Sequence, residues 1–482
     1  MLRRIFFKHI ISLFIGFFSV KSLRSYSATL YGNEKKQKIK SHKLGKTFTW
    51  GVATAAFQTE GAVDVDGKTP SVWDHFVHHS RRFRQDEHAD VAVDFYYRYQ
   101  HDIDLIKDMN LDAFRFSLAW TRIMPQGTGK VNQKGLDFYH RVIDACLEKG
   151  IEPWLTLYHW DLPQSLEEDG GWTNRQVVDW FSEFTDTCTR AFGDKVNNWL
   201  VLNEPMSFTG LGYFMGYHAP GRRGLRNFLP AAHHAALAQA AGGRLARANI
   251  PHANIGTTLS CSYIDPVNDK EMNRKAAQRL DAVMNRLFLE PALGLGYPSD
   301  VLDIKKHMEP YFQPGDEEAM AFDFDFIGLQ YYFRTVARFS LFPPVLFARD
   351  VPAPKRNVPM NNMGFEPYPK GLYKMLKQFA SYPQMKKIIV TETGICLDDT
   401  LGNGGVHDTA RINFLKDTIK YVRKAQKNNI PVEGYFVWTL TDNFEWSEGY
   451  HPRFGLVYVD FATQQRYLKD SALWLTDFLS KK

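Results

Sequence analysis

The sequence predicts an α/β fold in which eight parallel strands close into a single (β/α)8 TIM barrel. Three observations lead to this prediction. Short apolar runs alternate with longer segments of helical periodicity, these runs number eight, and no linker or change of composition divides the chain from residue 47 onward. Two domains would require such a division. In a barrel of this kind the active site lies at the C-terminal ends of the strands.

The predicted strands are rich in β-branched and aromatic residues, as expected for strands that are buried on both faces. They are residues 49–57, 113–120, 153–159, 198–203, 255–262, 324–332, 387–391 and 432–440. The helices between them are predicted at 94–109, 133–149, 174–192, 230–248, 273–289, 371–381 and 409–428.

The first 46 residues differ from the rest in charge. They hold eleven Lys and Arg and the single acid Glu34, which leaves 48 basic and 52 acidic residues in 47–482. Basic residues precede an apolar run at 10–20 that is too short to span a membrane, and Ser27 is followed by Ala28. We therefore predict a signal peptide at 1–27, a basic polar tether at 28–46, a catalytic domain at 47–482, and a secreted or periplasmic protein. An uncleaved membrane anchor, or a cytoplasmic protein with a mis-assigned start, is the alternative.

Charge and cysteine spacing exclude several functions for the body of the chain. Its slight excess of acids does not favour binding to nucleic acid, and it holds no apolar run that predicts an integral membrane span. Cys146, Cys188, Cys261 and Cys396 lie far apart and show no metal-ligand spacing, so no metal site is predicted. We expect buried free thiols, although spacing alone leaves a disulfide open.

Polar residues collect at the ends of seven predicted strands, and two of them are glutamates that close buried apolar runs. Glu204 ends the fourth strand and Glu392 the seventh. Alone, Glu204 before Pro205 is equally explained as the start of a helix, and Glu392 as a strand-end turn residue. Together on one barrel rim, the two carboxylates are suited to cleaving a glycosidic bond, one as acid and one as nucleophile. The other residues of this rim are Gln58, Glu60, Arg115, Trp120, His159, Trp160, Asp161, Asn203, Gln330, Tyr332, Trp438, Asp442, Asn443, Glu445 and Trp446.

Six stretches resemble glycoside hydrolase family 1. They are FTWGVATAAFQTE (48–60), FRFSLAWTRIMPQG (114–127), LTLYHWDLP, LNEP, VTETG and GYFVWTLTDNFEWSEGYHPRFGLVYVD (434–460), and they occur in the family's order. The resemblance runs from about residue 47 to about 475. It implies a retaining, exo-acting β-glycosidase, most often a β-glucosidase, that acts on a small-molecule β-glycoside without a metal or organic cofactor.

The same resemblance assigns roles to the rim residues. Glu204 matches the general acid/base and Glu392 the nucleophile. Arg115 and Tyr332 are expected to support ionised Glu392, by a positive charge and a hydrogen bond that lower its pKa. In turn, anionic Glu392 is expected to raise the pKa of Glu204.

Substrate binding is assigned in the same way. The residues that match the family's hydroxyl-binding positions, or lie beside them, are Gln58, His159, Trp160, Asn203, Gln330, Glu445 and Trp446, and Trp438 matches the ring under the sugar. An ordinary strand histidine remains an alternative for His159, and we interpret His233 and His234 as satisfied helix residues. The acidic, aromatic segment 443–446 disfavours 6-phosphorylated sugars, which Glu445 would repel. The presence of Glu204 favours O-glycosides over thioglucosides.

The chain departs from the family pattern at Thr393, Gln330 and Phe365, where asparagine, asparagine and tryptophan are usual. A separate feature is the apolar insert 339–347, which is interpreted either as an aglycone- or lipid-facing wall or as local packing under the rim. Two rival functions remain: a transglycosylase that uses the same intermediate, and a non-catalytic sugar-binding barrel.

Overall fold

The computed structural model describes residues 40–80, 83, 87–343 and 345–480. The predicted signal peptide and the tether up to residue 39 lie outside these ranges. Within the described part of the chain, no helix combines the length and apolar character needed to cross a bilayer.

Eight parallel strands form a closed barrel. They are β1 (Thr49–Ala53), β2 (Ala113–Ser117), β3 (Glu152–Tyr158), β4 (Asn198–Asn203), β5 (Asn254–Pro266), β6 (Phe326–Phe339), β8 (Ile388–Thr393) and β9 (Val432–Trp438). Each pairs with the next along the chain, β6 with β8, and β9 with β1, so the sheet has no break. The predicted (β/α)8 fold is therefore confirmed.

Three short strands lie outside the barrel. β7 (Ala348–Asp350) pairs antiparallel with the far end of β6, and β10 (Val457–Asp460) pairs with β11 (Gln465–Leu468) as a separate hairpin. Sequence analysis missed all three. It also ended the sixth strand at Tyr332, whereas β6 continues to Phe339.

The α-helices are Ala56–Thr59, Val72–His79, Phe95–Asp108, Trp120–Ile123, Gln133–Glu148, Gln164–Glu168, Val177–Phe192, Pro205–Ser207, Leu225–Asn249, Glu271–Asp281, Leu289–Ala292, Ile304–Met308, Asp316–Ala319, Pro369–Phe379, Thr409–Lys427 and Asp470–Leu479. Short 3₁₀ segments are Ser41–Leu44, Gly171–Thr173, Glu309–Tyr311, Ala353–Lys355 and Trp446–Glu448, and π segments are Phe208–Met215 and Ala282–Arg286. All seven predicted helices are present with shifted ends.

The predicted ends of the first two strands were wrong. Gln58 lies in the helix Ala56–Thr59, and Trp120 begins the helix Trp120–Ile123. Both segments are buried on all sides, so they show no alternation of exposed and buried residues that would separate a strand from a helical turn. Trp120 does not face the rim, because its ring stacks on Phe184 with centroids 4.6 Å apart.

A layer of large side chains fills the barrel interior. Its members are Ala113, Trp154, Leu200, Phe326, Ile389 and Phe436. β1 and β5 contribute glycine at this level: a Cβ on Gly51 would lie 2.2 Å from the Phe436 ring, and one on Gly256 would lie 2.4 Å from the Phe326 ring. The two glycines therefore leave room for the two phenyl rings.

The chain enters the barrel at the amino ends of the strands. The segment Ser41–Leu44 precedes β1, and the Leu44 carbonyl accepts a hydrogen bond of 3.0 Å from Gln426 near the end of the helix Thr409–Lys427. The same Gln426 side chain donates to the carbonyl of Val432, the first residue of β9. The first described residues thus lie at the end of the barrel opposite the carboxyl rim.

A buried ion network holds the segment after β9. Lys469 Nζ lies 2.6 Å from Asp399 and 2.7 Å from Asp442, and Arg411 pairs with Asp399 and Asp408. All five side chains are almost fully buried. Asp442, predicted as a rim residue, is therefore a structural anchor. Glu60 is likewise structural, because it pairs with Arg122 at 3.0 Å and accepts from Tyr139 at 2.6 Å.

Candidate active site

A pocket of about 1230 Å³, including its open mouth, lies at the carboxyl ends of the strands. Nine of the predicted site residues line it: His159, Trp160, Asn203, Glu204, Tyr332, Glu392, Trp438, Glu445 and Trp446. Glu204 and Glu392 thus face one space, as predicted. Arg115, Gln58 and Gln330 do not line the pocket but hydrogen-bond to residues that do.

The backbone at the end of β4 directs Glu204 into the pocket. Glu204 has φ of 48°, in the left-handed region that non-glycine residues seldom adopt, and its N–H donates to the Thr258 carbonyl at 2.9 Å. The helix Pro205–Ser207 begins directly after it. The two interpretations of Glu204 are thus compatible, because it stands before a helix and also faces the pocket.

Glu392 lies on β8 and is held by two donors. Arg115, fully buried on β2, donates to Glu392 Oε1, and the Tyr332 hydroxyl donates to Oε2 at 2.6 Å. Both contacts favour the ionised carboxylate. Burial nevertheless outweighs them, and the pKa of Glu392 is raised above its ordinary value rather than lowered as predicted.

Glu204 differs from Glu392 in its surroundings. Burial, followed by repulsion from Glu392, raises the pKa of Glu204 to about 8. Sequence reasoning gave the correct direction but named only the second cause. Of the two carboxyl groups, Glu392 is the one in contact with a cation, so it is the member of the pair that ionises first, and Glu204 retains its proton near neutral pH.

Asn203 is oriented by three neighbours. Its Oδ1 accepts from Arg115 Nη2 at 2.5 Å and from Gln330 Nε2 at 2.8 Å, and its Nδ2 lies 2.9 Å from His159 Nε2. Gln330, at a position where the family usually has asparagine, therefore fixes the Asn203 amide from behind the pocket wall.

His159 is in a state suited to binding a hydroxyl group. Burial, together with the Arg115 charge, lowers the pKa of His159 well below its ordinary value, so the ring is neutral. Its Nε2 then accepts from Asn203, which leaves the proton on Nδ1, a buried atom without a hydrogen-bond partner among the described residues. This environment argues against an ordinary, satisfied strand histidine.

Glu445, Trp438 and Trp446 form one wall of the pocket. Gln58 Nε2 lies 3.2 Å from Glu445 Oε2 and also reaches Asn443 Oδ1 and the Phe444 carbonyl, so Gln58 positions the segment that carries Glu445. Burial, with repulsion from Glu392 next, raises the pKa of Glu445 to about 8. Glu445 therefore carries only part of a negative charge at neutral pH, whereas the prediction that it repels phosphate assumed a full charge.

Aromatic rings surround this wall. The Trp446 ring lies 4.4 Å from that of Trp160 and 5.7 Å from that of His159, and Trp438, the last residue of β9, lies 5.9 Å from His159. Flat indole faces suit the C–H face of a pyranose.

Sequence reasoning missed several polar residues and most of the apolar lining; the polar ones are Ser207, Tyr217, His218, Ser260, Ser262, Ser447 and Glu448. Ser260 on β5, the strand without a predicted rim residue, lines the pocket and hydrogen-bonds to the Glu204 side chain, which lowers the pKa of Glu204. The apolar lining comes from scattered loops and strand ends: Met206, Leu211, Met215, Met284, Phe333, Met363, Phe365 and Phe454. No local spacing connects these positions, so no sequence signal could have identified them.

The described residues of the apolar insert do not line the pocket, which favours local packing over an aglycone-facing wall. Phe339 and Leu346 pack against Ala276, Ala277 and Leu280 of the helix Glu271–Asp281. The tip is exposed, with 66% of Leu341 and 53% of Phe342 accessible to solvent. Local packing therefore describes the base of the insert.

The interpretations of His233, His234 and the four cysteines are confirmed. His233 contacts Tyr297 Oη at 3.0 Å and Asp316 at 2.8 Å, and His234 contacts the Trp172 carbonyl at 2.9 Å, so both are satisfied inside the helix Leu225–Asn249. All four cysteines are free and buried.

Comparison with known proteins adds to this geometry. A family model described as glycosyl hydrolase family 1 matches residues 40–482. The chain is 40% identical to a 1,4-beta-D-glucan glucohydrolase of Thermotoga neapolitana over 91% of this chain and 98% of that protein. It is also 40% identical to beta-glucosidase A of Thermotoga maritima, over 90% and 97%. A solved structure of the family 1 β-glucosidase from T. maritima superposes with a TM-score of 0.87 at 39% identity, covering 91% of this chain and 98% of that one.

Proposed function

The chain belongs to glycosyl hydrolase family 1, and from that premise we propose that it is a retaining, exo-acting β-glucosidase. The observation that carries the proposal is the unlike pair of carboxyl groups in one pocket. Glu204 has a pKa of about 8, and Glu392 is bound by Arg115 and Tyr332. An acid that keeps its proton beside a carboxylate that is held ionised is the arrangement required for displacement at an anomeric carbon.

In the first half-reaction Glu392 attacks C1 of the terminal sugar while Glu204 donates its proton to the glycosidic oxygen. The C1–O bond breaks, the aglycone leaves as an alcohol, and a glycosyl ester forms on Glu392. Arg115 and Tyr332 align the attacking carboxylate and lose their charged partner as the ester forms. His159 and Asn203 are available for the hydroxyls of the sugar.

In the second half-reaction Glu204 acts as a base. Esterification removes the Glu392 charge, which is the second cause of the raised pKa of Glu204, so Glu204 becomes a stronger acid and exists as the carboxylate. It takes a proton from water as the water oxygen attacks C1, and Glu392 is released. Two inversions at C1 leave the configuration retained.

The rest of the pocket favours a neutral sugar with an apolar aglycone. Among the described residues that line it there is no lysine or arginine that could bind a phosphate. Apart from its polar residues and tryptophans, the pocket is lined by apolar side chains that include four methionines, Met206, Met215, Met284 and Met363. Flexible thioether side chains adapt to apolar groups of different shapes. We therefore expect aryl and alkyl β-glucosides to be better substrates than β-linked disaccharides.

A panel of p-nitrophenyl β-glycosides of glucose, galactose, fucose and mannose tests the proposal. We expect the highest kcat/KM on the glucoside and near-total loss of activity in Glu392→Ala. Added azide should restore turnover of the variant and yield the α-glycosyl azide, because the small anion replaces the missing nucleophile. Glu433→Ala, a surface glutamate that pairs with Lys387, serves as the matched control and should match the wild type.

Two results would contradict the proposal: a wild type without activity on the glucoside, and an active Glu392→Ala variant in the absence of azide. Product analysis with an added alcohol distinguishes hydrolysis from transglycosylation. Free glucose as the main product supports hydrolysis, and a predominant alkyl glucoside assigns the chain to transfer.

A further inference from the structure

Three potential metal-ligand side chains converge outside the pocket. His78 lies in the last turn of the helix Val72–His79, and His88 and Asp90 follow it along the chain. Asp90 Oδ1 is 2.9 Å from His78 Nε2 and 3.2 Å from His88 Nδ1, and the three potential ligand atoms lie within 4.8 Å of one another.

The two distances from Asp90 are close to those of a tetrahedral metal site, and the two imidazole nitrogens lie within 4.8 Å of each other. Ligand atoms about 2.1 Å from a Zn²⁺ ion in a tetrahedron are separated from each other by roughly 3.4 Å. Asp90 would therefore move from the two imidazole nitrogens by about half an ångström or less. The side chains are 40%, 33% and 29% exposed, in the order His78, His88, Asp90, so water can reach a fourth ligand position.

The chemistry of the three groups selects the class of ion. Two imidazole nitrogens and one carboxylate oxygen suit Zn²⁺, Cu²⁺ or Ni²⁺, whereas Mg²⁺ and Ca²⁺ prefer oxygen ligands. We propose that His78, His88 and Asp90 bind one divalent transition-metal ion of the Zn²⁺ class. The ion lies between the two imidazoles and Asp90, and each neutral imidazole that binds it carries its proton on the other ring nitrogen.

The proposed site is joined to the sugar-binding wall on both sides. Trp73, on the same helix as His78, has its ring 4.8 Å from that of Trp446. The carbonyl of His88 accepts a hydrogen bond of 2.9 Å from the Tyr450 hydroxyl. An ion bound to His78, His88 and Asp90 would therefore connect the residues that make two contacts with the segment 445–450, one through Trp73 and one through the His88 carbonyl. That segment carries Glu445, so the ion should order part of the sugar site before substrate binds.

Calorimetric titration of the full chain, without a polyhistidine tag, with Zn²⁺ tests binding independently of enzyme activity. We expect one ion per chain, at least about tenfold weaker binding in His88→Asn, and a Zn²⁺-dependent rise in Tm that is smaller in His88→Asn than in the wild type. His75→Asn, on the same helix but outside the cluster, is the matched control and should bind as the wild type does. Mg²⁺ should give no heat of binding.

Absence of Zn²⁺ binding by the wild type, or equal binding by His88→Asn, would overturn the proposal. His78→Asn loses a hydrogen bond to Asp90 and is the less secure variant, so His88→Asn carries the test.

The coupling to the sugar site has a separate test, which rests on the proposed β-glucosidase activity. With p-nitrophenyl β-glucoside, Zn²⁺ should lower KM in the wild type without changing kcat, and should change neither constant in His88→Asn. Zn²⁺ binding that leaves the wild-type KM unchanged would overturn the coupling while leaving the metal site intact. Failure of the enzyme to cleave β-glucosides at all would contradict the proposed function and not the metal site.

Discussion

Tyr332→Phe removes one hydrogen bond and leaves the shape of the pocket nearly unchanged. The lost bond runs from the Tyr332 hydroxyl to Glu392 Oε2 at 2.6 Å. A hydrogen bond to a charged group contributes about 1.5–3 kcal/mol. At about 1.4 kcal/mol per pKa unit, its removal should raise the pKa of Glu392 by about one to two units.

The sign of the effect follows from the role of the donor. The hydroxyl favours the ionised form of Glu392, so its loss favours the protonated form, and the nucleophile becomes ionised only at higher pH. The acidic limb of the profile of kcat/KM against pH should therefore move upward by about one to two units. The basic limb, which depends on the proton of Glu204, should move much less. Because the two carboxyl groups are coupled, the limbs report apparent pKa values of the pair.

The measurement is kcat/KM for p-nitrophenyl β-glucoside across acid and neutral pH. Tyr331→Phe is the matched control, because the Tyr331 hydroxyl donates to the Tyr368 carbonyl at 2.9 Å and does not contact Glu392. An unmoved acidic limb in folded Tyr332→Phe, or an equal displacement in Tyr331→Phe, would refute the reasoning.

Three further predictions concern the acid, the apolar lining and the ion network. Glu204→Ala should abolish the basic limb near pH 8 and slow alkyl glucosides far more than a 2,4-dinitrophenyl glucoside, whose leaving group needs no proton; equal losses on both substrates would contradict its role as acid. Phe342→Ser should leave the preference for aryl glucosides over cellobiose unchanged, whereas Met284→Ser, inside the pocket, should lower it; the reverse result would place the insert at the aglycone. Arg411→Met leaves buried Asp408 without its cationic partner and Asp399 with Lys469 alone, and should cost about 3–5 kcal/mol of unfolding free energy by calorimetry. Arg190→Met, at an ion pair whose arginine is 68% exposed, should leave the free energy of unfolding nearly unchanged, and similar losses at both sites would contradict this reasoning.

The two glutamates could be found from sequence because each stands where a buried strand ends. Alternation of elements predicted the barrel, and a parallel barrel brings the ends of all its strands to one rim. Glu204 and Glu392 therefore had to share a face once the strands were identified. The family motifs then assigned their roles, and the pocket contains both.

The electrostatic balance at Glu392 could not be predicted in the same way. Sequence reasoning identified Arg115 and Tyr332 as donors, and both contacts are present. The cost of removing water from the carboxylate depends on everything packed around it, which includes residues distant in the chain. For Glu392 that cost exceeds the effect of the donors, and the direction of the pKa shift reverses.

Burial also limits how well hydrophobic periodicity distinguishes a helix from a strand. Ala56 and Phe57 look like a continuation of β1 because a helical turn that is covered on all sides shows no exposed face to distinguish it from a buried strand. The position of the insert was left open for a related reason: apolar residues indicate contact with some apolar surface but do not identify that surface. Phe339 and Leu346 pack against the helix Glu271–Asp281.

The position of Leu44 matters for use of the protein on a solid support. It lies at the amino ends of the strands, and the mouth of the pocket opens at their carboxyl ends. A bead, a carrier domain or a display scaffold joined ahead of Lys40 would lie on the far side of the barrel from the entrance. Bulky substrates should therefore still reach the pocket of an enzyme that is attached in this way. Attachment through the exposed tip at Leu341 would instead place the support on the side of the barrel from which substrates arrive.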